Sequence, residues 1–243
     1  VKNAPDKTQS QDSTSSAEAQ GLGRLLGVIA HEIKNPLSTI KVNLRLIDEE
    51  LQIGSIGDEQ RLARARRKLS IIDKETSRLE QILDNFLRYA DQTQPHLIET
   101  DLNDVVDDII DFYMPQAAVH SITLRKFLHN KPAICLLDAG MLKQAILNLL
   151  INAQQAIIAS GEIMVRTSVE GKFAKLQISD TGKGIQPEKL NNLFEPYQSS
   201  RPDGSGLGLA TVKKIIDAHN GNISVFSEPD KGTAFTISLP LKV

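Results

Sequence analysis

The sequence predicts two domains of different class: an all-α helical hairpin, followed by an α+β two-layer sandwich. Three observations predict it. Apolar residues from Leu26 to Leu51 recur alternately four and three positions apart. A similar seam returns from Leu62 to Phe86. Beyond Pro95 the period changes, and short alternating runs take turns with longer helical ones.

Length and composition allow this plan. The chain has 243 residues, enough for one large domain or two modest ones. Hydrophobic residues make up 40%, while Trp is absent and aromatics are 4%, so the cores must be mostly aliphatic. A net charge of −2 gives no bulk attraction to nucleic acid or an anionic membrane. The lone cysteine, Cys135, excludes an internal disulfide and fits a reducing, cytoplasmic setting. It stands in the apolar run Ala133 to Leu137, where a buried structural thiol is expected. No stretch is apolar and long enough to span a bilayer, so no membrane contact is expected within this segment. The first residue is Val1, which fits a piece of a longer protein whose sensor or membrane tether lies upstream.

Residues 1–17 are polar and read as a disordered or linker lead-in, or the frayed start of a helix. Residues 18–92 read as the hairpin. Its first seam is Leu26, Ala30, Ile33, Leu37, Ile40, Leu44, Ile47 and Leu51, a heptad pattern. Leu25, Val28, Ile29, Val42 and Leu46 widen it toward a bundle face. Ile53 to Asp58, with two glycines, breaks the helix. One hairpin cannot bury two wide apolar faces, so a homodimer forming a four-helix bundle is expected. A monomeric hairpin folded on the rest of the chain is the alternative.

A linker is expected around Asp91 to Pro95, and residues 99–243 read as the second domain. Helices are predicted over Leu102–Val119, Ala139–Ser160 and about Gly206–His219. Strands are predicted over Ile122–Phe127, Ala133–Leu137, Ile163–Glu170, Phe173–Asp180, Asn222–Ser227 and Thr233–Leu239. This order suggests helices on one face of a mixed sheet.

Four motifs carry chemistry. The first is His31-Glu32-Ile33-Lys34-Asn35-Pro36-Leu37. His31 follows a seam residue, so it projects at the flank of the packed stripe, and Asn35 shares its face one turn on. A neutral imidazole is a good nucleophile near neutral pH, and the adjacent Glu32 can hold a ring N–H and take its proton. Asn35 can orient a water. Pro36 removes the N–H that would bond the Glu32 carbonyl, so a kink is expected there. A zinc-protease reading fails, because His-Glu-x-x-His needs a second histidine where Asn35 stands. His-Glu alone reads as an ordinary surface histidine on a charged helix face, and the full string with the downstream motifs is what raises His31.

The other three motifs read as a nucleotide pocket. Asn148 and Asn152 lie on one helix face and can hold a hydrated Mg2+ with the phosphates it bridges, though such a pair is also ordinary helix surface. Asp180 ends an alternating strand, where its carboxylate can accept from the exocyclic amine of adenine. Gly182 and Gly184 let backbone approach a flat base. A plain Asp-Thr-Gly turn is the alternative. Gly204-Ser205-Gly206-Leu207-Gly208-Leu209 opens a helix, where bare N–H groups make an anion site. The spacing is not that of a dinucleotide fingerprint, and no P-loop motif occurs. The polar segment between Ile185 and Gly204 reads as a lid, with Phe194 as its anchor and Arg201 able to reach the γ-phosphate.

In order and spacing this set resembles the sensor histidine kinases of two-component signalling. His31 to Leu37 resembles the H box and Asn148 to Ile157 the N box. Asp180 to Ile185 resembles the G1 box, Leu193 to Ser200 the F box and Gly204 to Leu209 the G2 box. Gly232-Thr233-Ala234-Phe235 also fits. The resemblance implies a phosphoacceptor bundle joined to a Bergerat-type ATP-binding domain. It implies autophosphorylation on His31 with Glu32 as base, Asn148 on Mg2+, Asn152 on phosphate and Asp180 on adenine. The partner implied is the receiver domain of a response regulator, with Asn35 as the phosphatase residue. Two departures stand out: Gln155 where many members carry a basic residue, and Tyr197-Gln198-Ser199-Ser200-Arg201 in place of the usual F-box string. A catalytically silent dimeric scaffold that binds ATP or a regulator without turnover and a water-activating ATPase of the wider fold class are the competing readings. The H box argues against the latter.

Overall fold

The computed structural model describes residues 8–52, 59–90, 94–196, 198 and 206–242. They divide into two compact units, one ending at Arg88 and one beginning at Tyr89.

The first unit is two long helices, α1 (Thr8–Gln52) and α2 (Glu59–Ala90). Helix α1 starts at Thr8, so from there on the polar lead-in takes the second of its two readings, the start of a helix. No Gly or Pro interrupts residues 8–20, and an established helix propagates cheaply once nucleated. The helix continues through Pro36. Just beyond the proline, side chains take up backbone carbonyls: Ser38 Oγ donates to the Lys34 carbonyl at 2.8 Å and Thr39 Oγ1 to that of Asn35 at 3.3 Å. The helices run antiparallel. Lys68, early in α2, pairs with Glu50 at the end of α1 at 2.6 Å, and Arg64 reaches the same carboxylate at 3.5 Å. The breaker at 53–58 and residues 91–93 of the expected linker lie outside the described residues.

The second unit is a two-layer sandwich. Its elements are β1 (Ile98–Asp101), α3 (Leu102–Val119), β2 (Ile122–Phe127), β3 (Ile134–Leu137), α4 (Ala139–Ala156), β4 (Gly161–Glu170), β5 (Phe173–Asp180), α5 (Pro187–Leu190), α6 (Gly208–Ala218), β6 (Asn222–Glu228) and β7 (Gly232–Pro240). Five strands form one sheet in the order β2-β4-β5-β7-β6. Only β2–β4 is parallel, so the sheet is mixed, as expected. The inward residues Ile163, Val165, Ala174, Leu176, Ile178, Ile237 and Leu239 meet Leu142, Ala145, Ile146, Leu149 and Leu150 of α4 and Val212 and Ile216 of α6 in one aliphatic core.

Three details differ from the expected layout. Residues Ile98–Asp101 are a strand that pairs antiparallel with β3, and the two make a separate sheet. Helix α4 stops at Ala156, short of Ser160, because the Lys183 N–H takes the Ala156 carbonyl at 3.1 Å and Ile157 turns extended. The expected lid contains the short helix α5.

Polar side chains lock the helix ends. Asp101 caps α3 through Asn103 N and also accepts from Ala133 N, both at 2.9 Å. Asp138 caps α4 through Met141 N at 3.0 Å. His219, buried at the end of α6, donates from Nδ1 to the Ile215 carbonyl at 2.7 Å and accepts at Nε2 from Asp138 N at 2.9 Å. One neutral imidazole tautomer therefore ties α6 to the start of α4. Cys135 is fully buried and its thiol is pushed up to about 11 by desolvation, with Asp101 adding to the effect, so it is an inert core group.

Candidate active site

On α1 the heptad places His31 and Asn35 on the exposed side and Glu32 half-buried beside them. Burial raises the Glu32 carboxyl above its ordinary value, and Arg78 of α2 and His31 pull it back. Arg78 also lies 3.9 Å from Glu75 one turn earlier on α2. The exposed imidazole thus sits next to a carboxylate whose proton affinity is tuned by the neighbouring helix.

In the α/β unit the site is built where β5 ends. Asp180 Oδ1 accepts from Gly182 N at 2.8 Å, an Asx turn that swings the chain toward the end of α4. A Cβ on Gly182 would stand 2.7 Å from the Ala156 Cβ, so only glycine lets the loop pack there. Gly184 has φ +67°, and a Cβ there would run into the Glu228 carbonyl. The loop is stapled to the β6–β7 hairpin by Asp230 N to the Lys183 carbonyl at 2.9 Å and Ile185 N to Ser227 Oγ at 2.8 Å.

Helices α4 and α6 form the other wall. Asn148 and Asn152 are both half-buried. Asn148 Nδ2 donates to the Gly208 carbonyl at 3.4 Å, which brings the asparagine helix to the start of α6. Gly206 takes φ +64°, Leu207 is the buried N-cap residue, and α6 begins at Gly208. Leucine offers no side-chain cap, and space is open beside Gly208, so an anion can approach the helix start. Phe194 packs edge-on against Phe235 with centroids 6.4 Å apart, anchoring the segment after α5 on the core. Arg201 and Gly204 lie outside the described residues.

The structure therefore brings Asn148 to Gly208 and Asp180 to Gly182, while His31, Glu32 and Asn35 belong to the helical unit. Among the described residues no group of three His, Cys, Asp or Glu could cage a metal. The side-chain amide oxygen of the half-buried Asn148 is a group that could ligate a hydrated Mg2+. Sequence reasoning did not single out Ser227 or His219. Ser227 continues the inward alternation Ile223, Val225, so a polar residue in an apolar slot was the available signal.

Two family models cover most of the chain. The His Kinase A (phospho-acceptor) domain matches residues 22–95. The histidine kinase-, DNA gyrase B-, and HSP90-like ATPase matches residues 137–243. The mycobacterial sensor histidine kinase MprB is 31% identical with a TM-score of 0.53, over 60% of this chain and 98% of that structure. The chain belongs to the two-component sensor histidine kinases. Sensor histidine kinase ZraS of Escherichia coli is 35% identical over 222 residues, 91% of this chain and 46% of that protein. Sporulation kinase D of Bacillus subtilis is 30% identical over 239 residues, 97% of this chain and 46% of that protein. The chain thus spans about half the length of the curated relatives it matches. The fold also matches histidine kinase ThkA, solved in complex with response regulator TrrA, with a TM-score of 0.77 at 22% identity over 100% of this chain and 69% of that one.

Proposed function

We propose that the chain is the core of an ATP-dependent protein histidine kinase that phosphorylates itself on His31 and passes the phosphoryl group to an aspartate of a response regulator. The observation carrying this reading is the exposed imidazole of His31 beside the half-buried Glu32. A lone pair of the His31 ring attacks the γ-phosphorus, the bond to the β-phosphate oxygen breaks, and ADP leaves. Glu32 takes the proton of the other ring nitrogen.

In this reading residues 18–92 are the dimerisation and phosphoacceptor unit and residues 99–243 the ATP-binding unit. Asp180 reads adenine, with Gly182 and Gly184 beside the base. Asn152 meets phosphate, and Gly204, Gly206, Leu207 and Gly208 present backbone N–H groups to it. Phe194 and Arg201 serve the lid. Asn148 would help hold Mg2+ with the nucleotide, and the ion would supply charge neutralisation at the phosphates. The setting is cytoplasmic, and two copies pair through the hairpin. Asn35 orients a water for dephosphorylating the regulator. A regulator partner is supported by the ThkA–TrrA complex at the level of fold.

Incubation with labelled ATP should yield an acid-labile, alkali-stable phosphate on the wild-type chain. His31→Gln should remove it entirely while nucleotide affinity is kept. Uptake of acid-labile phosphate by His31→Gln would refute the acceptor assignment. Asn35→Ala should impair regulator dephosphorylation by about 10²-fold and spare autophosphorylation; equal loss of both would remove Asn35 from the phosphatase role.

A further inference from the structure

One polar row crosses the inner face of the sheet where β5 ends. Strand register sets Asp180 of β5 opposite Thr233 of β7, and Thr233 opposite Ser227 of β6. All three are buried, at 8%, 5% and 9% exposure, where the next row along is Ile178, Phe235 and Val225. Buried polar groups in such a place must satisfy one another or a ligand.

The hydrogen bonds around Ser227 fix more than a loop. Its Oγ lies 2.8 Å from Ile185 N, 2.9 Å from the Gly232 carbonyl and 3.0 Å from Thr233 Oγ1. A serine hydroxyl has one proton and two lone pairs. The Ile185 N–H can only donate, so it uses one lone pair. The Gly232 carbonyl can only accept, so it uses the proton. The one arrangement left is that Thr233 donates to the second lone pair. The sole proton of Thr233 is then committed away from Asp180, and Thr233 keeps only lone pairs for anything on its other side. An ionised Asp180 also only accepts.

We propose that Ser227 is a positioning residue for base selection: by holding the Thr233 proton it makes the Asp180–Thr233 edge accept only, which favours a purine carrying a 6-amine over one carrying a 6-oxo group. This rests on the reading of Asp180 as the base-contacting residue. A 6-amine has two N–H donors for two neighbouring acceptors. A 6-oxo group sets oxygen against oxygen, directly or through a water that must then reverse its bonds. Removing the Ser227 hydroxyl frees Thr233 to rotate its proton toward the site and donate.

The test is titration of the full chain, with Mg2+, by ADP and by IDP, which differ at the purine 6-position and at the adjoining N1, a bare acceptor in ADP and an N–H donor in IDP. Wild type should bind ADP at least about tenfold tighter than IDP, the scale of one misplaced hydrogen bond. Ser227→Ala should narrow that ratio severalfold, mainly by improving IDP relative to ADP, and Ser227→Thr should restore it. Thr233→Val, which keeps the side-chain shape, should also narrow the ratio, now by weakening ADP. A structural role for Ser227 alone would lower both affinities together, so an unchanged ratio in Ser227→Ala overturns the proposal. Should Ser227→Ala not fold, an unchanged ratio in Thr233→Val overturns it instead. A wild type that binds both nucleotides equally sinks the base-selection role and leaves nucleotide binding standing. A wild type that binds neither sinks the reading of Asp180 first.

Discussion

The two units bury their apolar residues to very different extents. In the α/β unit Leu142, Ile146 and Leu150 are fully buried. In the hairpin Leu44, Leu69 and Leu83 remain 52%, 54% and 50% exposed, and only Ile29, Pro36 and Ile82 are buried among the described residues. The same kind of side chain therefore does different work in each. One unit closes its core alone, while the other leaves an apolar stripe that a second copy can cover. In the proposed reading the self-contained unit holds the nucleotide and the unit with the open stripe carries the phosphoacceptor.

The largest expected effect tests the closed core. Leu142→Ala should destabilise the α/β unit by about 2–5 kcal/mol, read from its denaturant midpoint at constant slope. The same truncation at Leu69 should leave that transition in place and instead raise the dimer dissociation constant by about tenfold or more, read by sedimentation across a dilution series. Equal destabilisation of both units would erase the contrast. A Leu69→Ala chain whose association is unchanged would show that this face is not the one covered.

How far the sequence led also differs between the units. The heptads of α1 and α2 and the alternation of β4, β5 and β7 were readable because each pattern repeats along its own element. Strand β1 was not, since Ile98–Asp101 is four residues long and its register is set by β3 far along the chain. The run Ile157-Ile158-Ala159 looks helical by composition, yet α4 ends at Ala156 because Lys183 N claims its carbonyl. Asp180 and the glycines were legible from local turn chemistry. Ser227 was not, because the register of β5, β7 and β6 alone brings it into the Asp180 row.

A smaller effect sharpens the contrast through the polar locks of the α/β unit. Asp138 is held below the usual carboxylate range first by the Met141 N–H, against an opposing burial effect, with the His96 and Gly140 N–H groups adding to the lowering. A lowered folded value means its contribution is full above the unfolded carboxylate range and is lost as pH falls through the folded value. Asp138→Ala should cost about 1 kcal/mol at neutral pH. Asp138→Asn should keep much of the cap yet flatten the stability loss below about pH 4. Identical acid limbs for wild type and Asp138→Asn would mean other groups set the acid sensitivity.

The smallest effect concerns the hairpin's own tuned carboxyl. Burial raises Glu32, and Arg78 is the larger of two groups opposing it. A raised folded value means the associated stability is full below the unfolded carboxylate range and lost as pH rises through the folded value, so the ionised form is held at some cost. Arg78→Gln removes the main counterweight and should keep Glu32 protonated to higher pH. If Glu32 accepts the imidazole proton, the acid limb of the autophosphorylation profile must then move upward, with a rate loss of about tenfold or less near that limb and recovery on the alkaline side. Stability should move the opposite way in Glu32→Gln, which has no charge to desolvate and should unfold later than wild type at neutral pH. A rate loss in Arg78→Gln that is equal at every pH would assign the arginine to helix packing and leave the tuning of Glu32 without support.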